Sequence, residues 1–146
     1  MPQVFHLNPD NNNQAVIDNT ERGTSTDISN LEDSLYLDIV NENSLRIRID
    51  QYTSDNSLHQ YKAFIDLNYE NAKLFCNWIN QTEDRNLRID QRHDNLQCNF
   101  FDIVNNIFLI VEQLDIFTHQ PEERASFTIH NHNIQPLYEW LRTFFS

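Results

Sequence analysis

From Leu45 to Asp50 apolar and polar residues alternate without a break. Leu45, Ile47 and Ile49 fall on one side, Arg46, Arg48 and Asp50 on the other. Alternation with a period of two marks a strand with one buried face. The phrase this strand opens (strand, polar turn, strand, amphipathic helix) runs from Leu45 to Ile79 and returns 62 residues later, from Ile107 to Leu141. Ile47, Ile49, Ala63, Ile65 and Leu67 meet Leu109, Val111, Ala125, Phe127 and Ile129 at that offset. Ala72, Phe75, Trp78 and Ile79 meet Ile134, Leu137, Trp140 and Leu141. A preceding strand, Leu35 to Val40, aligns at an offset of 64, with Asp38-Ile39-Val40 on Asp102-Ile103-Val104. Agreement at both tryptophans and at the inward alanine points to tandem βββα units.

Each unit carries a sheet face and a helix stripe that bury one another. Asn68 is placed to cap the first helix, with Glu70 in the first turn, where the helix dipole favours an acid. Asn133 is placed to cap the second helix, whose first turn accommodates Pro136. Two such units predict an α+β fold: a mostly antiparallel sheet of about six strands with two helices packed on one face, the units joined in one continuous sheet or set as two small sheets face to face. The expected organisation is a polar arm over 1–30 and a single domain over 31–146. The domain holds repeats at 35–80 and 96–146, joined by a charged connector at 81–95. Within the arm, Phe5 and Leu7 alternate as in a short edge strand, and Asn8-Pro9-Asp10 is a turn signal. Within the connector, Leu87 and Ile89 alternate in the same way.

The chain has a single glycine, Gly23, among 146 residues. Backbone positions with positive φ therefore fall mostly to asparagine and aspartate, which tolerate that region best after glycine. Asn41 and Asn105 stand at the predicted hairpin turns.

The net charge of −12 argues against binding nucleic acid or an anionic membrane through a broad basic face. The charge is uneven. Residues 1–44 hold eight acids against Arg22, whereas 45–80 balance Arg46, Arg48, Lys62 and Lys73 against Asp50, Asp55, Asp66 and Glu70. Two cysteines, Cys76 and Cys98, make no disulfide framework. The opening MPQVFHLNPDNNN lacks the charged and apolar regions of a signal peptide, and no apolar run approaches the length of a membrane span. A soluble, cytoplasmic protein is expected.

The outer face of the middle strand differs between the units. In the first it carries Arg46, Arg48 and Asp50; in the second, Phe108, Ile110 and Glu112. A strand apolar on both faces is normally covered on both, and an exposed apolar patch marks an interaction site. The covering element is either part of this chain, a second copy or a partner.

No serine elbow, phosphate-cradling loop, Cys-x-x-Cys or His-Glu-x-x-His occurs, so no enzyme and no cofactor are indicated. His130 and His132 stand two apart, a spacing that on a strand turns both imidazoles to one side, as in metal chelation. The leading expectation is a non-enzymatic acidic protein that covers a basic site on a partner protein, as an inhibitor or immunity protein does. Its binding residues are expected at Asp102, Phe108, Ile110, Glu112 and Asp115, with no nucleic-acid or membrane partner. The alternatives are a self-associating structural protein forming a homodimer, and a metal-dependent enzyme using His130 and His132.

Overall fold

In a computed structural model the described residues are 3–18, 33–41, 43–52, 60–81, 86–91, 93–100 and 105–146. The chain is α+β and mostly sheet. Its strands are β1 (Val4–Asn8), β2 (Asn11–Asp18), β3 (Ser34–Val40), β4 (Ser44–Tyr52), β5 (Gln60–Leu67), β6 (Asn86–Gln91), β7 (Asp94–Phe100), β8 (Ile107–Leu114) and β9 (Pro121–Ile129). Helix α1 (Tyr69–Ile79) follows β5, and α2 (Ile134–Phe145) follows β9 through a 3-10 turn at Asn131–Asn133.

Of the two arrangements the sequence allows, the strands take the one with two antiparallel sheets, a five-stranded sheet in the order β1-β2-β3-β4-β5 and a four-stranded sheet in the order β6-β7-β8-β9. Each sheet is a run of adjacent strands closed by a helix. The two extra pairings come from stretches whose alternation is short. Residues 4–18, expected within the polar arm, are a hairpin that widens the first sheet: Ala15 and Ile17 are fully buried and Phe5 packs against the core. Polar Asn11 to Asn13 hide that strand in the sequence. In the expected connector, β6 pairs along its whole length with β7, with Ile89 opposite Leu96.

One continuous core joins the layers. The inward positions of both sheets, from Leu35, Ile47 and Ile65 to Leu109, Val111 and Phe127, pack with Phe75, Leu137 and Phe145 of the helices. The matched tryptophans each reach into the other half. Trp78 of α1 stacks on Phe100 of β7 at 4.5 Å, and Trp140 of α2 donates to the Asn12 carbonyl of β2 at 3.2 Å.

Three glutamines tie the halves at strand edges. Gln113 of β8 accepts from the Phe64 N–H of β5 at 3.2 Å, and Gln51 of β4 accepts from the Ser126 N–H of β9 at 3.0 Å. Gln91 of β6 accepts from the Asn68 N–H at 3.0 Å and donates to the Asp66 carbonyl. Each satisfies a main-chain group with no ladder partner.

Asn68 caps α1 as expected, its side chain accepting from the Asn71 N–H at 2.9 Å. Asn133 stands at the N-cap of α2, but its side chain makes no cap bond. It accepts from the Phe5 N–H at 3.1 Å and donates to the Gln3 carbonyl at 3.2 Å, which fastens the start of β1. Among the described residues Asn41 and Asn105 both have φ of 54°, in line with the expectation that asparagine supplies most left-handed positions, and His119 takes a third at 58°.

Candidate functional site

The register of the five-stranded sheet sets its outer face in rows. His6, Val16, Tyr36, Arg48 and Phe64 lie directly opposite one another across all five strands. The next row is Gln14, Asp38, Arg46 and Asp66, and the row on the other side is Ser34, Asp50 and Lys62. These positions alternate with the core residues of the same strands, so they stand on the face the helices do not cover.

The central row is partly open, with Val16 buried and Phe64 exposed. The Arg48 guanidinium lies over the Tyr36 ring at 4.1 Å, and the Arg46 guanidinium over the Phe64 ring at 4.9 Å. Such contacts hold the rings and guanidinium groups in fixed relation. Phe64 is 38% exposed, although its strand offers a fully buried face on the other side at Ala63 and Ile65. At the far end of the row His6 bonds Asp18 at 2.9 Å.

The flanking rows fix the charges. Arg46 donates twice to Asp66, from Nε at 2.7 Å and from Nη2 at 3.0 Å. That hydrogen bonding raises the Arg46 pKa above its already high ordinary value. Gln14 donates to Asp38 at 2.7 Å and accepts from Asn8 at 2.8 Å, which makes a polar ladder across the sheet. Arg48 Nε lies 3.4 Å from Asp50 Oδ1, an ion pair without hydrogen-bond alignment. Arg46, Arg48 and Lys62 stand against Asp18, Asp38, Asp50 and Asp66, so this face carries one net negative charge in a chain of net charge −12.

The residues expected from the sequence lie elsewhere. Phe108, Ile110 and Glu112 share the outer side of β8, opposite Asn99, Gln97 and Asn95 of β7. Ile110 is buried and Phe108 half-buried within the single chain. Glu112 accepts from Gln97 at 3.2 Å and stands opposite Arg124. Asp115 opens the loop after β8 and accepts from the Phe117 and Thr118 N–H groups, both at 2.9 Å. The Thr118 bond, then the Phe117 bond, hold its pKa below the ordinary carboxylate value. Asp102 falls outside the described residues.

His130 and His132 sit at the corner between β9 and α2 rather than on a strand, with ring centroids 6.0 Å apart. His132 Nε2 is 2.6 Å from the Gln3 carbonyl, a contact to the start of the chain. Among the described residues no group of three or more His, Cys, Asp or Glu is placed to hold a metal ion. Both cysteines are free and buried, and burial pushes both thiol pKa values up.

No protein-family model matches the chain. No curated protein sequence is similar to it. Twelve chains of solved structures are similar in fold, two of them as follows. One, described as the structure of a guideRNA-binding protein complex bound to a gRNA, has a TM-score of 0.59 at 9% identity, over 97% of this chain and 86% of that chain. The other, described as crystal structures of Trypanosoma bruciei MRP1/MRP2, has a TM-score of 0.56 at 11% identity, over 97% of this chain and 80% of that chain.

These similarities correct the expectations of an acidic inhibitor or immunity-like protein that covers a basic partner, and of no nucleic-acid partner. The fold neighbour seen with a ligand is a guideRNA-binding complex holding a gRNA. The physical reason for the error is that net charge is a sum, whereas a strand of nucleic acid touches one face. The sequence reading passed over Tyr36, Arg46, Arg48, Lys62 and Phe64, which the register brings together on one face. Their signal was present: an outward Phe64 between Lys62 and Asp66, in the one charge-balanced stretch of the chain.

Proposed function

We propose that the chain is a non-enzymatic binder of single-stranded RNA, which it takes on the outer face of β3, β4 and β5. The observation that carries this reading is the central row, in which Tyr36, Arg48 and Phe64 lie side by side with two guanidinium groups over two rings. Unstacked RNA bases are held by stacking on aromatic rings and arginine planes, and stacking tolerates any sequence because every base has a π-face. Strands lie about 4.8 Å apart, so five of them make a row roughly 19 Å across. That length suits an extended strand better than an enclosed small molecule. The gRNA held by a protein complex of similar fold supports the same reading.

The phosphate contribution is small here. Arg46, Arg48 and Lys62 are the cations of the face, and Arg46 must exchange Asp66 for a phosphate. Both partners of that ion pair are about half-exposed, at 43% and 45%, so the exchange costs little. Binding rests on stacking, with phosphate contacts setting register. An intracellular setting is part of the proposal; two free, buried cysteines support it.

Fluorescence anisotropy with a labelled single-stranded oligouridine tests it. The protein is expected to bind, and the Y36A/R48A/F64A variant is expected to lose at least about tenfold, since each lost stack removes about 1–3 kcal/mol. Circular dichroism of the variant confirms that it folds. No binding by the unaltered protein, or equal binding by the folded variant, overturns the proposal.

A further inference from the structure

Away from the sheet face, the C-terminal end of α1 and the N-terminal end of α2 open onto one cavity of about 300 Å3. Ile79, Phe100 and Ile134 give it apolar walls. Its polar lining consists of carboxamides: Asn80 and Gln81 beyond α1, Asn105 at the turn before β8, and Asn131 and Gln135 at the start of α2. Among the described residues no charged side chain lines it. We propose that this cavity is a nucleobase pocket, separate from the sheet face and independent of the RNA-binding reading.

The electrostatics select a neutral ligand. The last turn of α1 holds no basic residue, so the carbonyl end of its dipole leaves a partial negative charge at the cavity. The first turn of α2 holds no acid, and Asn133 is spent on β1 rather than on a cap, so that end is partly positive. An anion meets the carbonyl end and a cation meets the amide end; neither gains from both. A neutral molecule with donors and acceptors on one edge satisfies the two ends together.

The side chains select a base among neutral ligands. The carboxamide is the group that pairs two-pronged with a base edge, one donor and one acceptor at a time. Two of the five are oriented by their neighbours. Gln135 Nε2 donates to Glu139 at 2.8 Å, and Asn131 Nδ2 reaches the Asn105 carbonyl at 3.5 Å, so their oxygens are the groups left to accept. The wall at Phe100 is backed by Trp78 at 4.5 Å, which gives a rigid aromatic surface for a planar ring. The base arrives either as a free nucleoside or on an RNA strand; the chemistry of the pocket is the same.

Two-dimensional NMR of the full chain tests this through the carboxamide signals and the Trp78 indole. Adenosine, guanosine, cytidine and uridine are titrated separately, with ribose 5-phosphate and inositol as base-free controls. At least one nucleoside is expected to shift the Gln81, Asn131 and Gln135 signals saturably. The Q81L/Q135L variant, altered at two exposed positions, is expected to weaken that binding about tenfold while keeping the wild-type spectrum elsewhere. A short oligouridine that displaces the nucleoside identifies the strand as the source of the base; an oligouridine that does not identifies free nucleosides. The proposal is overturned if neither nucleosides nor RNA move these signals, or if the base-free controls move them equally.

Discussion

Three groups share the guanidinium of Arg48: the Tyr36 ring beneath it, Asp50 beside it and solvent above. The ring contact is worth about 0.5–1 kcal/mol at such a partly open site. It costs nothing in charge, so the arginine keeps its attraction for a phosphate while its plane stays set. Asn41 shows the same economy in the backbone. With φ of 54° at an exposed turn, it stands where glycine is usual in a chain with a single glycine. Asn41→Ala is expected to cost about 1 kcal/mol in urea unfolding, and Asn41→Gly to cost nothing measurable, because a Cβ is disfavoured there and asparagine tolerates it best. Equal losses for both variants indicate that the Asn41 side chain, not its backbone, holds the turn. The sequence showed this position plainly. It did not show that Asn133 is diverted from capping α2 to fastening β1, because the partner, Gln3, lies 130 residues away.

At the scale of elements, the period-two alternation identified β3, β4, β5, β8 and β9, and the stripes identified both helices. It showed β6 through Leu87 and Ile89 and failed for β2, whose few inward apolar residues follow a run of asparagines. β1, β2 and β6 add to the six strands of the two repeats to give sheets of five and four strands. The site was harder to read than the fold. A wet outer face looks ordinary in sequence; only the register brings Tyr36, Arg48 and Phe64 abreast. The apolar outer face of β8 drew attention for a property that the chain itself largely covers, as the burial of Ile110 shows. With three cations on the proposed face, RNA affinity is expected to fall with salt on a shallow log–log slope of about −2, near 0.7 per phosphate contact for single strands. A slope beyond about −4 in the anisotropy titration points to cations elsewhere on the chain.

At the scale of the whole molecule, the reciprocal reach of Trp78 and Trp140 and the three glutamine ties make the two halves one cooperative body. Tryptophan fluorescence and far-ultraviolet dichroism are expected to report one urea midpoint; separate midpoints show that the halves unfold independently. On the proposed reading the net charge of −12 repels bulk polyanion, while the nearly neutral face admits a strand held by its bases. That division of labour is the central claim, and backbone NMR during titration with a short single-stranded oligouridine tests it most directly. The largest amide shifts are expected along Tyr36, Arg46, Arg48 and Phe64, with the second sheet nearly still; largest shifts on β7 and β8, or none anywhere, contradict it.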